Sequence, residues 1–433
     1  MEEKRTRIIQ TVLVILLMAT IVSLLVACAV LSADILVGTH TDGISVLLSE
    51  AGLPDFNAGL VDLVESCFED YYYQDIPERA HLAQKTVEAY NEFCRDGVNS
   101  EDIDEVTNAI IDCYIYAIGD KYGSYRTEDE SDEFTTDMSG SFVGIGVAVL
   151  TSELEKTVEV TSVEEGSPAK NAGILPGDFI IAVDGSRIEE IGIDELLSRV
   201  RGTVGTSVTV TVLRGTEEIP FTMVREHITE TTVALSYLED GRVAYLKITG
   251  FKSNTDAQFI DAINKIEASG AEAVIFDLCN NPGGYLTAVV NMLSYLVPDG
   301  TPIVSFSSSK LPMCAESGKG SMYENTDHVF NLPSAVIVNG NSASASELFS
   351  HAMKDYNAMG ILDSVVVGSL TYKKGVMQST IPFSNGGTLT LTTALYNPPS
   401  GVNFNEVGVV PDVPVPDGED PIEKALEILF TEE

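Results

Sequence analysis

Apolar residues run almost unbroken from Ile8 to Val37, with no charge between Arg7 and Asp34. The stretch "IIQTVLVILLMATIVSLLVACAVL" exceeds the ~20 apolar residues that cross a bilayer and predicts a membrane helix within 1–40. From Leu53 to Tyr125, "AHLAQKTVEAYNEF" and "EDIDEVTNAIIDCYIYAIGDKYGSY" repeat apolar residues every three or four positions, the period of amphipathic helices. The acidic "RTEDESDEF" breaks that period. Apolar and polar residues then alternate from Phe142 to Val224 between Gly-rich turns, the signature of short strands. After His227, β-branched runs ("VAYLKI", "AVIFDL", "SAVIV", "GTLTLTTALY") alternate with helical stretches ("TDAQFIDAINKIEASG", "SASELFSHAMKDY"), the rhythm of an α/β domain. The end, "DGEDPIEKALEILFTEE", reads as one amphipathic helix with a solvated charged face. The expected organisation is multidomain α+β. A cytoplasmic stub and membrane helix fill 1–40, a helical domain 41–135, a β-rich module 141–227, an α/β core 228–415 and an acidic terminal helix 416–433.

Charge decides the compartment and removes one class of partner. Sixty-five acidic against 25 basic residues give a net charge of −40, which repels phosphate backbones and excludes nucleic acid as a partner. Lys4, Arg5 and Arg7 precede the apolar run, so the positive-inside rule places the remainder outside the cytoplasm on a single-pass anchor in the cell membrane. "LVAC" at 25–28 resembles a lipoprotein cleavage box, yet the apolar run continues past Cys28 and suits a span better. Cysteines 28, 67, 94, 113, 279 and 314 show no CxxC or Cys/His spacing, so no metal site is expected. An extracytoplasmic setting permits a disulfide among Cys67, Cys94 and Cys113.

Candidate chemistry gathers in "NGNSASASELFSHAMKDYN". Ser342, Ser344 and Ser346 stand at alternate positions before a helical stretch. They serve either as turn and cap residues or, for one of them, as a nucleophile where unpaired helix N–H groups can hold an oxyanion. A nucleophilic serine needs a base. Among His40, His81, His227, His328 and His351 none is placed for a triad; His351 lies on the serine's own helix and points away from its start. A buried lysine, neutral because burial lowers its pKa, does the same work, and "GSLTYKKGVMQSTIPF" offers one. Adjacent side chains on an extended segment face opposite ways, so only one of Lys373 and Lys374 can reach the serine. Lys374 precedes Gly375, which leaves room for close approach, and Gln378 four residues later can hold its amine.

"SFVGIGVAVL" and "EVTSVEEGSPAKNAGILPGDFIIAVDGSRI" together resemble a PDZ domain over 141–227. Gly144, Ile145 and Gly146 would present backbone N–H groups to a peptide's terminal carboxylate while the strand edge pairs with its backbone. "ELLSRVRGTVGTSVTVTVLR" would supply the groove helix and a strand, with Arg201 at their join.

Over about residues 100–415, "AIGDKYGSY", "DLCNNPGGYL", "NGNSASASELFSHAMKDY", "TYKKGVMQSTIPF" and "LTTALYNPPSGVNFNEVGVVPDV" resemble, in order, the motifs of carboxyl-terminal processing (tail-specific) proteases, PDZ-containing Ser/Lys peptidases of the S41 type. The resemblance implies a crotonase/ClpP-like serine protease core, Ser344 as nucleophile, Lys374 as general base and Gln378 as its orienting partner. It also implies an oxyanion hole from the N–H groups of Ala345 and Gly283, in a turn shaped by Pro282 and Gly284. No cofactor is implied; the partners are proteins and peptides with apolar C-termini, and a homodimer or regulatory partner is left open. Two positions depart from the family pattern, Cys279 where arginine is usual and Lys373 where glycine is usual. The segment "NAMGILDSVVVG" is also longer than its family counterpart. The alternative is a catalytically inactive, membrane-anchored PDZ scaffold that binds tails.

Overall fold

The computed structural model describes residues 43–94, 102–152, 154, 156–307, 314–316, 328–416 and 418–430. The expected membrane helix and Cys28 lie outside them, and no helix among the described residues is long and apolar enough to cross a membrane.

Among the described residues the first α-helices are α1 (Ile44–Glu50), α2 (Ala58–Tyr71), α3 (Arg79–Ala89) and α4 (Ile103–Ile118). Asn57 and Asp102 cap α2 and α4 through their side chains, and α4 stops at Gly119 with φ 88°, the left-handed stop glycine accommodates. Their periodic faces close over Leu48, Phe68, Leu82, Ile110 and Tyr114, all fully buried, and Leu389 and Leu391 join the same core. Those leucines belong to β18 (Thr388–Asn397), the centre of a sheet that also holds β1 (Ser124–Arg126), β13 (Pro302–Ser307), β14 (Cys314–Glu316) and β17 (Val376–Pro382). The helical layer is thereby fixed to the sheet whose strand β17 begins two residues after Lys374. Cys67 and Cys113 are not bridged to each other, and burial pushes the Cys67 thiol up to about 12.

"RTEDESDEF" departs from the reading of a simple break, because it opens helix α5 (Glu128–Ser139). Thr127 Oγ1 accepts from the Glu130 amide at 3.5 Å and Glu130 Oε2 accepts from the Thr127 amide at 2.8 Å, a reciprocal cap. Only Ser131 of this helix is buried, so no apolar stripe announces it.

The β-rich module follows. Strands β3 (Val147–Ser152), β4 (Thr157–Val163), β5 (Phe179–Val183), β7 (Ser207–Arg214) and β8 (Glu217–Val224) form one sheet in that order, with β6 (Ser186–Arg187) paired to β5. Helices α6 (Pro168–Ala172), α7 (Ile188–Ile191) and α8 (Ile193–Val200) close it over its own core of Val158, Val160, Ile180, Leu196 and Val210. Its two connections, β2 (Ser141–Gly144) and β9 (Glu226–Thr229), pair antiparallel as a separate ribbon.

The last part is built on a six-stranded sheet ordered β10 (Val233–Leu238), β11 (Val243–Ile248), β12 (Ala273–Asp277), β15 (Ser334–Val338), β16 (Ser364–Gly368) and β19 (Val413–Pro414). β10 is antiparallel and the rest are parallel. Central strands β12 and β15 read as continuous apolar runs because both faces are covered. Phe276 and Val336 face helices α9 (Thr255–Ser269), α10 (Leu286–Leu296) and α11 (Ala345–Ala358). Ile275 and Ile337 face the terminal helix α12 (Pro421–Phe430).

Candidate active site

The site forms where β12 and β15 end side by side, the usual position for a site in a parallel sheet. After β15, Ser342 Oγ donates to the Leu278 carbonyl at 2.8 Å, the Ala343 amide to the Asn281 carbonyl at 3.0 Å, and Ser346 Oγ to the same carbonyl at 2.9 Å. Ser342 and Ser346 are fully buried and stitch the serine turn to the loop after β12. Ser344 between them is half-buried and caps α11 at φ 56°. A left-handed backbone costs a non-glycine residue roughly 1–2 kcal/mol, and such strain collects where a side chain must be presented at one angle.

Gly283 lies against this turn at φ 100°. A Cβ there would sit 2.7 Å from the Ala343 carbonyl, 2.9 Å from Ser344 Cβ and 3.0 Å from the Ala345 nitrogen. Only glycine permits this approach. The Ala345 amide has no hydrogen-bond partner among the described residues, whereas the Gly283 amide donates to Asn281 Oδ1 at 2.9 Å. One expected oxyanion donor is therefore open and the other is engaged within its own loop.

Glu347 joins the serine to the lysine and was not singled out by sequence reasoning, although Ser344-x-x-Glu347 is a capping-box spacing. It is fully buried. Its Oε2 accepts from the Ser344 amide at 2.9 Å and the Lys374 amide at 2.8 Å; its Oε1 accepts from the Lys373 amide at 2.7 Å and Thr371 Oγ1 at 2.6 Å. Four donors satisfy a carboxylate that would otherwise be costly to bury.

Lys374 is half-buried and Lys373 is exposed. Burial holds the Lys374 amine below the ordinary lysine range, against the pull of Asp120 and Glu347. Its Nζ stands 4.4 Å from the centre of the Tyr122 ring and does not hydrogen-bond Ser344 in this arrangement. The Gln378 amide faces Val376 O at 3.4 Å and Thr392 Oγ1 at 3.5 Å rather than the lysine. Asp120 sets Tyr122 by accepting from the Tyr122 amide at 3.1 Å, the Thr392 amide at 2.8 Å and Thr392 Oγ1 at 2.7 Å. Tyr396 approaches from β18, with Oη 3.4 Å from Ser344 Oγ and 2.8 Å from the Lys374 carbonyl oxygen.

The two unusual residues have local explanations. Lys373 takes φ 82°, a conformation glycine adopts without strain. Beside Cys279, Lys247 Nζ donates to Asp277 Oδ2 and to the Cys279 carbonyl, both at 2.9 Å, so a cation from β11 occupies the neighbourhood. Burial, then Asp277, pushes the Cys279 thiol up to about 12.

A groove of about 680 Å³ runs along β3 and α8, lined by Ile145, Val147, Ile180 and Leu197 and walled by Glu133 and Asp137 of α5. The Ile145 and Gly146 amides donate to no described residue. Gly146 has φ 80°, and a Cβ there would meet Ser167 Cβ at 2.3 Å.

Comparison with known proteins identifies both parts. Residues 242–415 match peptidase family S41 and residues 159–214 match the PDZ domain family. Residues 242–415 are thus similar to peptidase family S41, and the module before them to the PDZ family. The chain is 34% identical over 341 residues to a CtpA-like serine protease of Staphylococcus aureus (strain N315), covering 78% of this chain and 65% of that protein. It is 32% identical over 338 residues to a protein of the same description from Staphylococcus epidermidis (strain ATCC 12228 / FDA PCI 1200), covering 78% and 66%. The matched region is thus just under two thirds of the relatives' length. A Bacteroides fragilis structure assigned to the S41 proteases shares the fold, with a TM-score of 0.51 at 16% identity over 85% of this chain and 97% of that one.

Proposed function

We propose that the protein is a serine endopeptidase anchored by residues 1–40 in the cell membrane, with its catalytic part outside the cytoplasm. It captures apolar polypeptide C-termini in the PDZ groove and cuts through a Ser/Lys acyl-enzyme mechanism. One observation carries the reading: a single buried carboxylate, Glu347, binds the amides of both Ser344 and Lys374, fixing nucleophile and base on different elements to a common point.

In the reaction, neutral Lys374 takes the Ser344 proton as Oγ attacks the scissile carbonyl, and the carbonyl electron pair moves onto oxygen. The Ala345 amide receives that oxyanion, joined by the Gly283 amide once Asn281 releases it. The Lys374 ammonium returns its proton to the leaving amine, and water repeats the sequence on the ester. Gln378 meets the amine when it leaves the Tyr122 ring. Ile145 and Gly146 offer their amides to the substrate's terminal carboxylate, and Ile180 and Leu197 meet its last side chain.

The test is cleavage, by the full-length chain, of an unstructured polypeptide ending in leucine and alanine, compared with Ser344→Ala and Lys374→Ala. Loss of cleavage in both variants, with melting temperatures unchanged, supports the mechanism. The tail-binding scaffold reading is favoured by the engaged Gly283 amide and the lysine held on Tyr122. It takes over if the unsubstituted chain binds the tail and never cuts it.

A further inference from the structure

Tyr396 is 3% exposed and packs edge-on to Phe404 with ring centres 5.4 Å apart. Its backbone is fixed on both sides, the amide donating to the Gly375 carbonyl at 3.2 Å and its carbonyl accepting from Asn403 Nδ2 at 2.7 Å. Phenylalanine would fill that apolar slot equally well. A phenol there must lose water, a cost met only if its oxygen is hydrogen-bonded. Both of its partners belong to the proposed chemistry: the Lys374 carbonyl oxygen at 2.8 Å and Ser344 Oγ at 3.4 Å.

Proton counting fixes the direction. A phenol carries one proton and a carbonyl oxygen only accepts, so at 2.8 Å the Tyr396 proton points at Lys374 O. The longer contact runs from the same donor, Tyr396 O–H toward Ser344 Oγ at 3.4 Å, so the phenol's one proton lies mainly on Lys374 O with the serine oxygen as its second acceptor. At rest one phenol O–H thus stands between two acceptors, Lys374 O and Ser344 Oγ, and the serine oxygen is held on the side of the tyrosine.

Resting on the Ser344/Lys374 reading, we propose that Tyr396 is a further catalytic residue, holding the Ser344 hydroxyl in one rotamer at rest and turning its own O–H onto Oγ as the serine loses its proton. The amine leaves the Tyr122 ring and takes the seryl proton. Oγ becomes alkoxide-like as its bond to the scissile carbon forms, and the Tyr396 proton rotates from the Lys374 carbonyl toward Oγ. No proton leaves Tyr396. Burial pushes its phenol far up while the Ser344 contact opposes the shift, consistent with a donor that stays protonated. The 3.4 Å separation is long for an O–H···O bond and tightens in the reacting complex, as contacts in unliganded sites do.

Tyr396→Phe in the full-length chain removes one oxygen and keeps the ring. Cleavage of the same polypeptide is expected to lose on the order of 10- to 100-fold in kcat, the scale of one aimed hydrogen bond at a reacting atom, with KM within about twofold. Labelling of Ser344 by a fluorophosphonate should slow in parallel. Since Tyr396→Phe also leaves the Lys374 carbonyl without its donor, a second variant carries 3-fluorotyrosine at 396, which preserves shape and sharpens the O–H as a donor. It is expected to retain kcat at or above the unsubstituted level with an unchanged melting temperature. If Tyr396→Phe folds and its kcat and labelling rate stay within twofold, the proposal is overturned. If Tyr396→Phe does not fold, a 3-fluorotyrosine chain that folds with kcat lowered more than threefold overturns it equally. Activity surviving in Ser344→Ala strikes the underlying Ser/Lys reading instead, so the two failures are separable.

Discussion

At the residue scale, the least settled group is the Lys374 amine, drawn two ways. Burial favours its neutral form while Asp120, Glu347 and the face of Tyr122 favour the ammonium. A base accepts a proton only when neutral, so kcat/KM should rise with pH through the folded-state lysine pKa. That limb should lie below the ~10.4 of a free lysine. Tyr122→Leu keeps an apolar wall and removes the cation–π attraction, which is worth about 0.5–2 kcal/mol to the charged form. The limb should therefore move to lower pH, by up to about 1.5 units; a pH–rate profile that stays in place shows that the ring does not hold the reacting amine. Much of this site is readable from the sequence and part of it is not. Ser344 and Lys374 stand in quotable motifs, and the glycine at 283 is explained by its closeness to the Ser344 turn. Tyr122, Glu347 and Tyr396 escape notice because a lone buried Tyr or Glu looks like core or surface until the fold shows what its oxygens touch.

At the scale of single elements, short polar devices do what apolar periodicity cannot announce. Helix α5 is legible only through the Thr127-x-x-Glu130 cap, since it lays almost nothing in a core and instead walls the groove with Glu133 and Asp137. A second device holds the turn before β5. Asp178 accepts from Arg214 Nε and Nη2 at 2.7 Å each and from the Leu175 amide at 2.9 Å, and Arg214 also reaches the Gly173 carbonyl at 2.8 Å. The guanidinium bond, ahead of the backbone bond that assists it, holds the Asp178 carboxyl below its usual range although burial opposes this. A depressed carboxyl stabilises the fold above its unfolded pKa, and that stabilisation is lost as pH falls through the folded value. Arg214→Met should destabilise the PDZ module by about 2–3 kcal/mol at pH 7, below the usual cost of orphaning a buried charge because the arginine is partly in solvent. With its partner gone, Asp178 is relieved by protonation, so the deficit should shrink toward pH 3. Melting curves of both chains at pH 7 and pH 3.5 check this, and equal deficits at both pH values would sink the argument.

At the scale of the whole molecule, the groove and the catalytic turn belong to separately packed bodies. The PDZ core shares no buried residue with the helical or α/β cores, and it enters and leaves through one ribbon in which Ser141 pairs with Thr229. Beneath the ribbon the Glu230 amide donates to the Gly140 carbonyl at 2.9 Å, and Asn254 Nδ2 holds the same carbonyl at 2.8 Å. Gly140 and Glu230 are thus already neighbours, and a two-residue Asn-Gly turn can replace 141–229 without moving either body. Across the groove mouth, Arg201 to Glu133 at 3.1 Å is an exposed pair, worth roughly 0–1 kcal/mol. Lys252 binds Asp137 and Glu230, both at 2.8 Å, and neither of those acids is removed by the excision. The excised chain should therefore fold, label at Ser344 with a fluorophosphonate at a rate within a few-fold of the intact chain, and cut the tailed polypeptide at least ~10-fold more slowly, without preference for a free terminal carboxylate. Undiminished, carboxylate-dependent cleavage would show that tails are read elsewhere. Loss of labelling in a chain that still melts cooperatively would show that the PDZ module is needed to free the Gly283 amide from Asn281 and the Lys374 amine from Tyr122, making the arrangement described above a closed state that tail binding opens.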